Sequence, residues 1–188
     1  MPNIGSLHGS RCLQRGGPPR IKRSIAIACL LSLAGITPAM AWEWTPWSQA
    51  QGSTMPPGAF IGGTEQVVGQ NRTRQLFVCQ VEDGSIGVHP GKVVEGRCNI
   101  GYDSKERPYS TYRVLTGVRR SHWVQGSNGS FPSNAFEGGR EPSRTLFVCR
   151  GPYMNGLHPG KIVDHACNIA WGGREPHLQN YEVLVVDE

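Results

Sequence analysis

Leu76-Phe77-Val78-Cys79 returns as Leu146-Phe147-Val148-Cys149, 70 positions further along the chain. Outward from that pair, His89-Pro90-Gly91-Lys92 returns as His158-Pro159-Gly160-Lys161, and Cys98-Asn99-Ile100 as Cys167-Asn168-Ile169. Glu106 matches Glu175, and Tyr112-Arg113-Val114-Leu115 matches Tyr181-Glu182-Val183-Leu184. On the other side, Ala59-Phe60-Ile61-Gly62-Gly63-Thr64-Glu65 matches Ala135-Phe136-Glu137-Gly138-Gly139-Arg140-Glu141, and Trp47 and Trp123 open the two copies. So many matches in one order establish an internal duplication, with copies at about 47–118 and 123–188. The offset falls from 76 to 70 between Glu65 and Leu76, so the first copy holds six extra residues there. That stretch, Gln66 to Gln75, is polar and reads as an exposed loop.

Two copies of about 70 residues are too few and too long for a solenoid, and each alone would have a marginal core. One domain with internal pseudo-twofold symmetry fits better. Short runs rich in Val, Ile, Tyr and Phe, bounded by Gly, Pro, Asn and Ser, predict strands at Leu76–Val81, Cys98–Tyr102, Tyr112–Val118, Thr145–Arg150, Ala166–Trp171 and Tyr181–Val186. No window after residue 42 carries a clean helical period. The expected fold is all-β: two tandem repeats forming one pseudo-twofold antiparallel β-sandwich or flattened barrel.

The segment before the repeats has the order of an export signal: Arg20, Lys22 and Arg23, an apolar run from Ser24 to Ile36, then Ala39-Met40-Ala41. Residues 1–41 are therefore expected to be a signal peptide cleaved before Trp42, leaving a single domain at 42–188. The apolar run is too short for the roughly 20 residues that span a bilayer, so no membrane anchor is expected. The net charge of +5 belongs to this leader, which holds five basic residues and no acid; residues 42–188 carry 14 of each sign. A neutral body lacks the basic field that drives binding to a phosphate backbone, which argues against nucleic acid. Export to the periplasm or the extracellular space makes disulfides the default for Cys79, Cys98, Cys149 and Cys167. Each of the three pairings maps onto itself under the twofold; Cys79 with Cys98 and Cys149 with Cys167 is favoured because the strands carrying each pair are close in sequence. A zinc site using these cysteines with His89 and His158 competes, but the spacings match no ribbon or finger, so neither metal nor cofactor is expected.

The ordered motifs resemble the DM-nine repeat family. They are Pro56-Pro57-Gly58-Ala59 with Gly63 and Glu65, Pro90-Gly91-Lys92, Lys105-Glu106 and Tyr112-Arg113-Val114-Leu115. The second copy supplies Pro132-Ser133-Asn134-Ala135, Gly139 and Glu141, Pro159-Gly160-Lys161, Gly173-Arg174-Glu175 and Tyr181-Glu182-Val183-Leu184. The resemblance implies a mannose-binding lectin with a two-repeat β fold, in which an acid after the Gly-Gly turn and the Lys of Pro-Gly-Lys hydrogen-bond sugar hydroxyls. By position these are Glu65 with Lys92 and Glu141 with Lys161. The chain departs from the pattern in carrying Glu where a sugar-binding member has Asp, and in its six-residue insertion.

The chemistry of the residues is compatible with that role. A neutral hexose offers hydroxyls that donate and accept, together with apolar C–H faces. A carboxylate, an ammonium or amide and an aromatic ring suit it. Asn99 and Asn168 could join the same sites, or could satisfy backbone at a strand edge. Tyr102 and Trp171, at equivalent positions, could stack on a sugar face, but aromatics after a strand more often read as core; His89 and His158 read as turn residues before Pro, and Glu106 and Glu175 as partners of an ion pair or turn hydrogen bond. Taken without the resemblance, Lys92, Lys161, Glu65 and Glu141 read as a surface pair per copy, worth about 0–1 kcal/mol. No Gly-x-Ser-x-Gly elbow, His-Glu-x-x-His motif or phosphate loop is present, so no enzyme is expected. The reading is an exported carbohydrate-binding protein with one metal-independent site per repeat and mannose-type glycans as partners. A homodimer is a possible further association, and the alternative is a secreted protein-binding adhesion or inhibitor domain.

Overall fold

The structure, a computed structural model, describes residues 46–187. The expected signal peptide at 1–41, with Cys12 and Cys29, lies outside the described residues. The first repeat forms β1 (Trp47–Gln51), β2 (Ile61–Gln66), β3 (Thr73–Asp83), β4 (Gly87–Val94), β5 (Arg97–Tyr102), β6 (Lys105–Tyr109) and β7 (Thr111–Leu115). The second repeat forms β8 (Ser121–Ser127), β9 (Glu137–Glu141), β10 (Arg144–Tyr153), β11 (Gly156–Val163), β12 (Ala166–Ile169), β13 (His177–Leu178) and β14 (Asn180–Val186). Every pairing between these strands is antiparallel. The fold is all-β, as the patterning predicts.

The pairings close a ring. β2 pairs with β3, β3 with β4, β4 with β9, β9 with β10, β10 with β11, and β11 returns to β2. Closure pairs the six ring strands on both sides and gives the flattened-barrel form of the expected fold, leaving β1, β6, β8 and β13 as the edges outside the ring. β5–β6 and β12–β13 extend outward from β4 and β11. β7 with β1, and β14 with β8, lie along β3 and β10.

The two joints that complete the ring, Glu65 opposite Gly156 and Val88 opposite Arg140, both cross between repeats. Here the structure corrects the sequence reading. Gly62-Gly63 and Gly138-Gly139 are not turns; they lie inside β2 and β9. A Cβ on Gly62 would stand 2.5 Å from Val78 Cγ2 and 2.7 Å from Pro159 Cγ, and one on Gly63 would collide with the Leu157 carbonyl. Their lack of a side chain is what lets the strand of one repeat lie against the other.

Pro90-Gly91-Lys92 and Pro159-Gly160-Lys161 are not turns either, but the middles of β4 and β11. β4 pairs with β5 through Lys92–Val94 and with β9 at Val88, so Pro90 falls in the gap between those partners, where a missing N–H is tolerated.

Three apolar clusters fill the interior. One per repeat is built around Cys79, Cys98, Ile100 and Tyr112, and around Cys149, Cys167, Ile169 and Tyr181. The third, of Val78, Leu115, Val148 and Leu184, joins both repeats along the pseudo-twofold. Cys79 is bonded to Cys98 and Cys149 to Cys167, the pairing favoured from sequence, so the zinc alternative loses its thiolates. Two disulfides suit an oxidising, extracytoplasmic setting. Among the described residues no helix is long and apolar enough to cross a membrane.

Candidate functional site

The joint between β2 and β11 places polar side chains of both repeats around one cleft of about 210 Å³. Arg74 lies opposite Glu65 in the register of β2 and β3, and its Nε donates to Glu65 Oε1 at 2.6 Å. From β4, Lys92 Nζ reaches 2.8 Å from Nδ1 of His158 on β11. His158 Nε2 sits 3.2 Å from the Tyr153 carbonyl, which can only accept, so Nε2 carries the proton and Nδ1 accepts from Lys92. Glu106 enters from β6, anchored by Gly173 N–H donating to Oε2 at 2.8 Å. Trp171 forms part of the wall with its ring edge-on to Tyr153, and Val68 of the inserted hairpin forms another part.

Burial governs the charges. Lys92 is 1% exposed, and burial pushes its ammonium down to about 8, while the carboxylates of Glu65 and Glu106 work against that shift. Burial, and then the charge of Lys92, push His158 down to about 4. His158 is therefore neutral at physiological pH, and its 3.7 Å approach to Glu65 Oε2 is a contact without charge pairing. The cleft thus offers carboxylates as acceptors, an ammonium and a guanidinium as donors, and an indole as an apolar surface. No group of three or more His, Cys, Asp or Glu that could hold a metal occurs among the described residues.

The twofold-related cluster at the joint of β4 and β9 contains the same residue types in a different arrangement. Arg144 Nε pairs with Glu141 Oε2 at 2.9 Å, as Arg74 pairs with Glu65. Lys161, however, donates to Glu175 Oε1 at 3.0 Å and to the Gly101 carbonyl. Asn168 Nδ2 donates to the same Glu175 oxygen at 3.3 Å, and Ser104 N–H donates to the other at 3.0 Å. His89 Nε2 donates to the Ile86 carbonyl at 3.0 Å, whereas its buried Nδ1 has no partner. Burial lowers the pKa values of both Lys161 and His89, so the 3.8 Å approach of His89 Nε2 to Glu141 is no ion pair.

Glu65 and Lys92 line one cleft, where Glu65 pairs with Arg74 and Lys92 with His158; Glu141 and Lys161 likewise share one cluster, where Glu141 pairs with Arg144 and Lys161 with Glu175. The lysines are fully buried in mid-strand and Glu65 is 6% exposed, so these three are not surface residues, while Glu141, the last residue of β9, is half-buried. Each cluster draws on both repeats, so neither site belongs to one repeat alone. Asn99 turns its amide to the Arg97 carbonyl at 3.0 Å, closing the β4–β5 hairpin, and stands outside the lining of the cleft. Asn168 supports Glu175, and its buried Oδ1 is unpartnered.

His89 and His158 are not turn residues. They are fully buried within β4 and β11, because the Pro that follows each one lies within a strand. Tyr102 and Trp171 are only partly buried, each at one cluster. Glu106 and Glu175 do accept turn N–H groups, and they also face the lysines. Arg74 and Arg144 were missed in the sequence, although Thr73-Arg74 and Ser143-Arg144 share the 70-residue offset of the strand that follows them.

Among curated proteins, natterin-3 of Thalassophryne nattereri is 26% identical over 149 residues, covering 78% of this chain and 37% of that protein. The chain thus spans little more than a third of the relative's length. The family model of the DM9 repeat matches residues 70–165 and again 141–188. The first of these matches crosses from one repeat into the other, as the strands that build each cluster do. The chain belongs to the DM9 repeat family.

Proposed function

We propose that this is an exported carbohydrate-binding protein of the lectin type, recognising mannose-type glycans without metal and without turnover. The observation that carries the reading is the Lys92 cleft. Its volume is below the roughly 300–1,000 Å³ of pockets for drug-sized ligands, a scale suited to one sugar ring. Glu65 and Glu106 supply acceptors for hydroxyls, Lys92 and Arg74 supply donors, and Trp171 offers an apolar surface to C–H groups. Buried, pre-positioned charged groups make stronger hydrogen bonds than surface ones, since they exchange less with water. The neutral balance of the body suits an uncharged ligand, and neither nucleic acid nor a membrane anchor enters the proposal. Pairing of the chain into a homodimer would add avidity on a multivalent glycan surface.

Isothermal titration with mannose in the presence of a chelator tests the proposal. Binding should persist in chelator. Lys92→Ala should weaken it by about 10- to 100-fold, the effect of losing a charged hydrogen bond of about 1.5–3 kcal/mol. Absence of heat with mannose and other monosaccharides would overturn the carbohydrate reading, and turnover of a glycoside would overturn its non-enzymatic part.

A further inference from the structure

The two clusters are related by the pseudo-twofold, yet their lysines have made different choices. Lys92 donates to an imidazole of the other repeat and leaves Glu106 to face the cleft. Lys161 has turned away from the corresponding imidazole, His89, and onto Glu175 and the Gly101 carbonyl. The Nδ1 of His89 is left buried and without a partner, an arrangement that is rare because a buried acceptor with no donor costs about 1–3 kcal/mol. In the other cluster the equivalent Nδ1 of His158 receives Lys92.

A sequence difference accounts for the choice. Cys98-Asn99-Ile100-Gly101-Tyr102 corresponds to Cys167-Asn168-Ile169-Ala170-Trp171, so glycine at 101 faces alanine at 170. A Cβ on Gly101 would stand 2.6 Å from Cγ and 2.8 Å from Oε1 of Glu175, closer than real atoms pack. Glycine there leaves the space in which Glu175 lies over the strand and takes Lys161; a Cβ would force the Glu175 side chain to shift. Ala170 carries that Cβ in the other repeat, where Glu106 accepts from Gly173 N–H and lines the cleft. Glu175 is then saturated by Lys161, Asn168 and Ser104, which leaves little capacity to accept from a ligand. The aromatic partner differs as well. Arg107 sits over the ring of Tyr102 at 4.6 Å, whereas Pro176 takes the place of Arg107 in the repeat that carries Trp171.

We infer that, of the two twofold-related clusters, the Lys92 cleft is the one that receives ligand, and that the Lys161 cluster is closed by its own Glu175, a closure written into the sequence as Gly101 against Ala170. The inference rests on the carbohydrate reading for the ligand, but the closure itself can be read without any ligand. Each part therefore has its own measurement.

Nitrogen NMR of ring-labelled histidine reads the closure. In the wild type, His158 Nδ1 should show the shift of a hydrogen-bonded acceptor and His89 Nδ1 that of a free one. Gly101→Ala should move the His89 Nδ1 resonance to that of His158, as Glu175 is pushed off and Lys161 crosses to the imidazole. Glu175→Gln, which leaves the backbone alone, should move it in the same direction and serves if Gly101→Ala fails to fold. Calorimetry with mannose should give one equivalent per chain for the wild type and two for Gly101→Ala. Two equal sites in the wild type, or a His89 resonance unmoved in both variants, would overturn the inference. If the His89 resonance moves while no sugar gives heat in any form, the closure stands and the carbohydrate reading falls.

Discussion

His158 is the neutral acceptor at the centre of the cleft's charges. It is a neutral imidazole, 1% exposed in its side chain, held between the ammonium of Lys92 and the carboxylate of Glu65. Its pKa falls from 6.5 to about 4 on folding, chiefly through burial. The unfolded chain therefore takes up a proton near pH 6.5, which the folded chain refuses until about pH 4. Stability is full above the upper value and declines as pH falls through that window, by about 3 kcal/mol at its foot. His89, lowered by burial as well, adds to the same slope. Guanidinium unfolding at pH 7 and pH 4.5 should show the decline, and His158→Gln should flatten it; an unchanged midpoint would refute the assignment. Glu65 and Lys92 were legible in the sequence because repetition and family pattern single out the same positions. Their burial was not, because Pro-Gly before a Lys has the composition of a turn, and only the pairing of β4 with β3 and β5 reveals a strand. Arg74 and His158 were hidden for another reason: a repeat shows that a residue recurs, but not which copy supplies its partner.

At the scale of the strand, the regular apolar runs were read correctly. β3, β5, β7, β10, β12 and β14 all contain β-branched or aromatic residues; β7 and β14 mix buried and half-buried positions, whereas β5 and β12 are buried almost throughout, as short apolar strand runs of the interior are. β2, β9, β4 and β11 escaped because they are made of Gly, Pro and polar residues, the usual marks of turns. These are the strands that close the ring, and their odd composition follows from that task. At the crossing point a side chain on Gly63 would occupy the place of the Leu157 carbonyl, and one on Gly139 that of the Val88 carbonyl. Gly63→Ala must therefore spread β2 from β11 or distort both. A destabilisation of about 3 kcal/mol is expected, at the upper end of what overpacking costs, with loss of sugar binding because Glu65 and His158 move apart. Gly69→Ala, in the inserted hairpin and with open space around its Cβ position, makes a matched control, although its positive φ adds about 1 kcal/mol of its own. A melting temperature equally shifted by both would contradict the crossing-point argument.

On the scale of the whole molecule, duplication has produced one domain in place of two. The ring needs strands from both copies, and the central cluster takes Val78 and Leu115 from one and Val148 and Leu184 from the other. Further ties cross the same boundary in symmetric pairs. Gln80 donates to the Gly138 carbonyl and Arg150 to that of Gly62, while Trp47 meets Phe136 and Phe60 meets Trp123. A separate repeat would expose β2 and the first half of β4 as open edges and lose the other repeat's half of the shared apolar cluster, which leaves too small a core for an unaided chain of that length. It would also lack the other repeat's share of the cleft, since Lys92 and Glu65 would have no His158 or Trp171. Residues 46–118 and 119–187, produced separately with their disulfides formed, should each lack near-ultraviolet circular dichroism and a cooperative unfolding transition, and neither should bind mannose. Mixed in equal amounts they should recover the dichroism of the intact chain, because the crossing contacts are non-covalent and self-complementary. Cooperative unfolding of either fragment alone would mean that the repeat is an independent domain, and the ring would then have to be regarded as an association of two finished units.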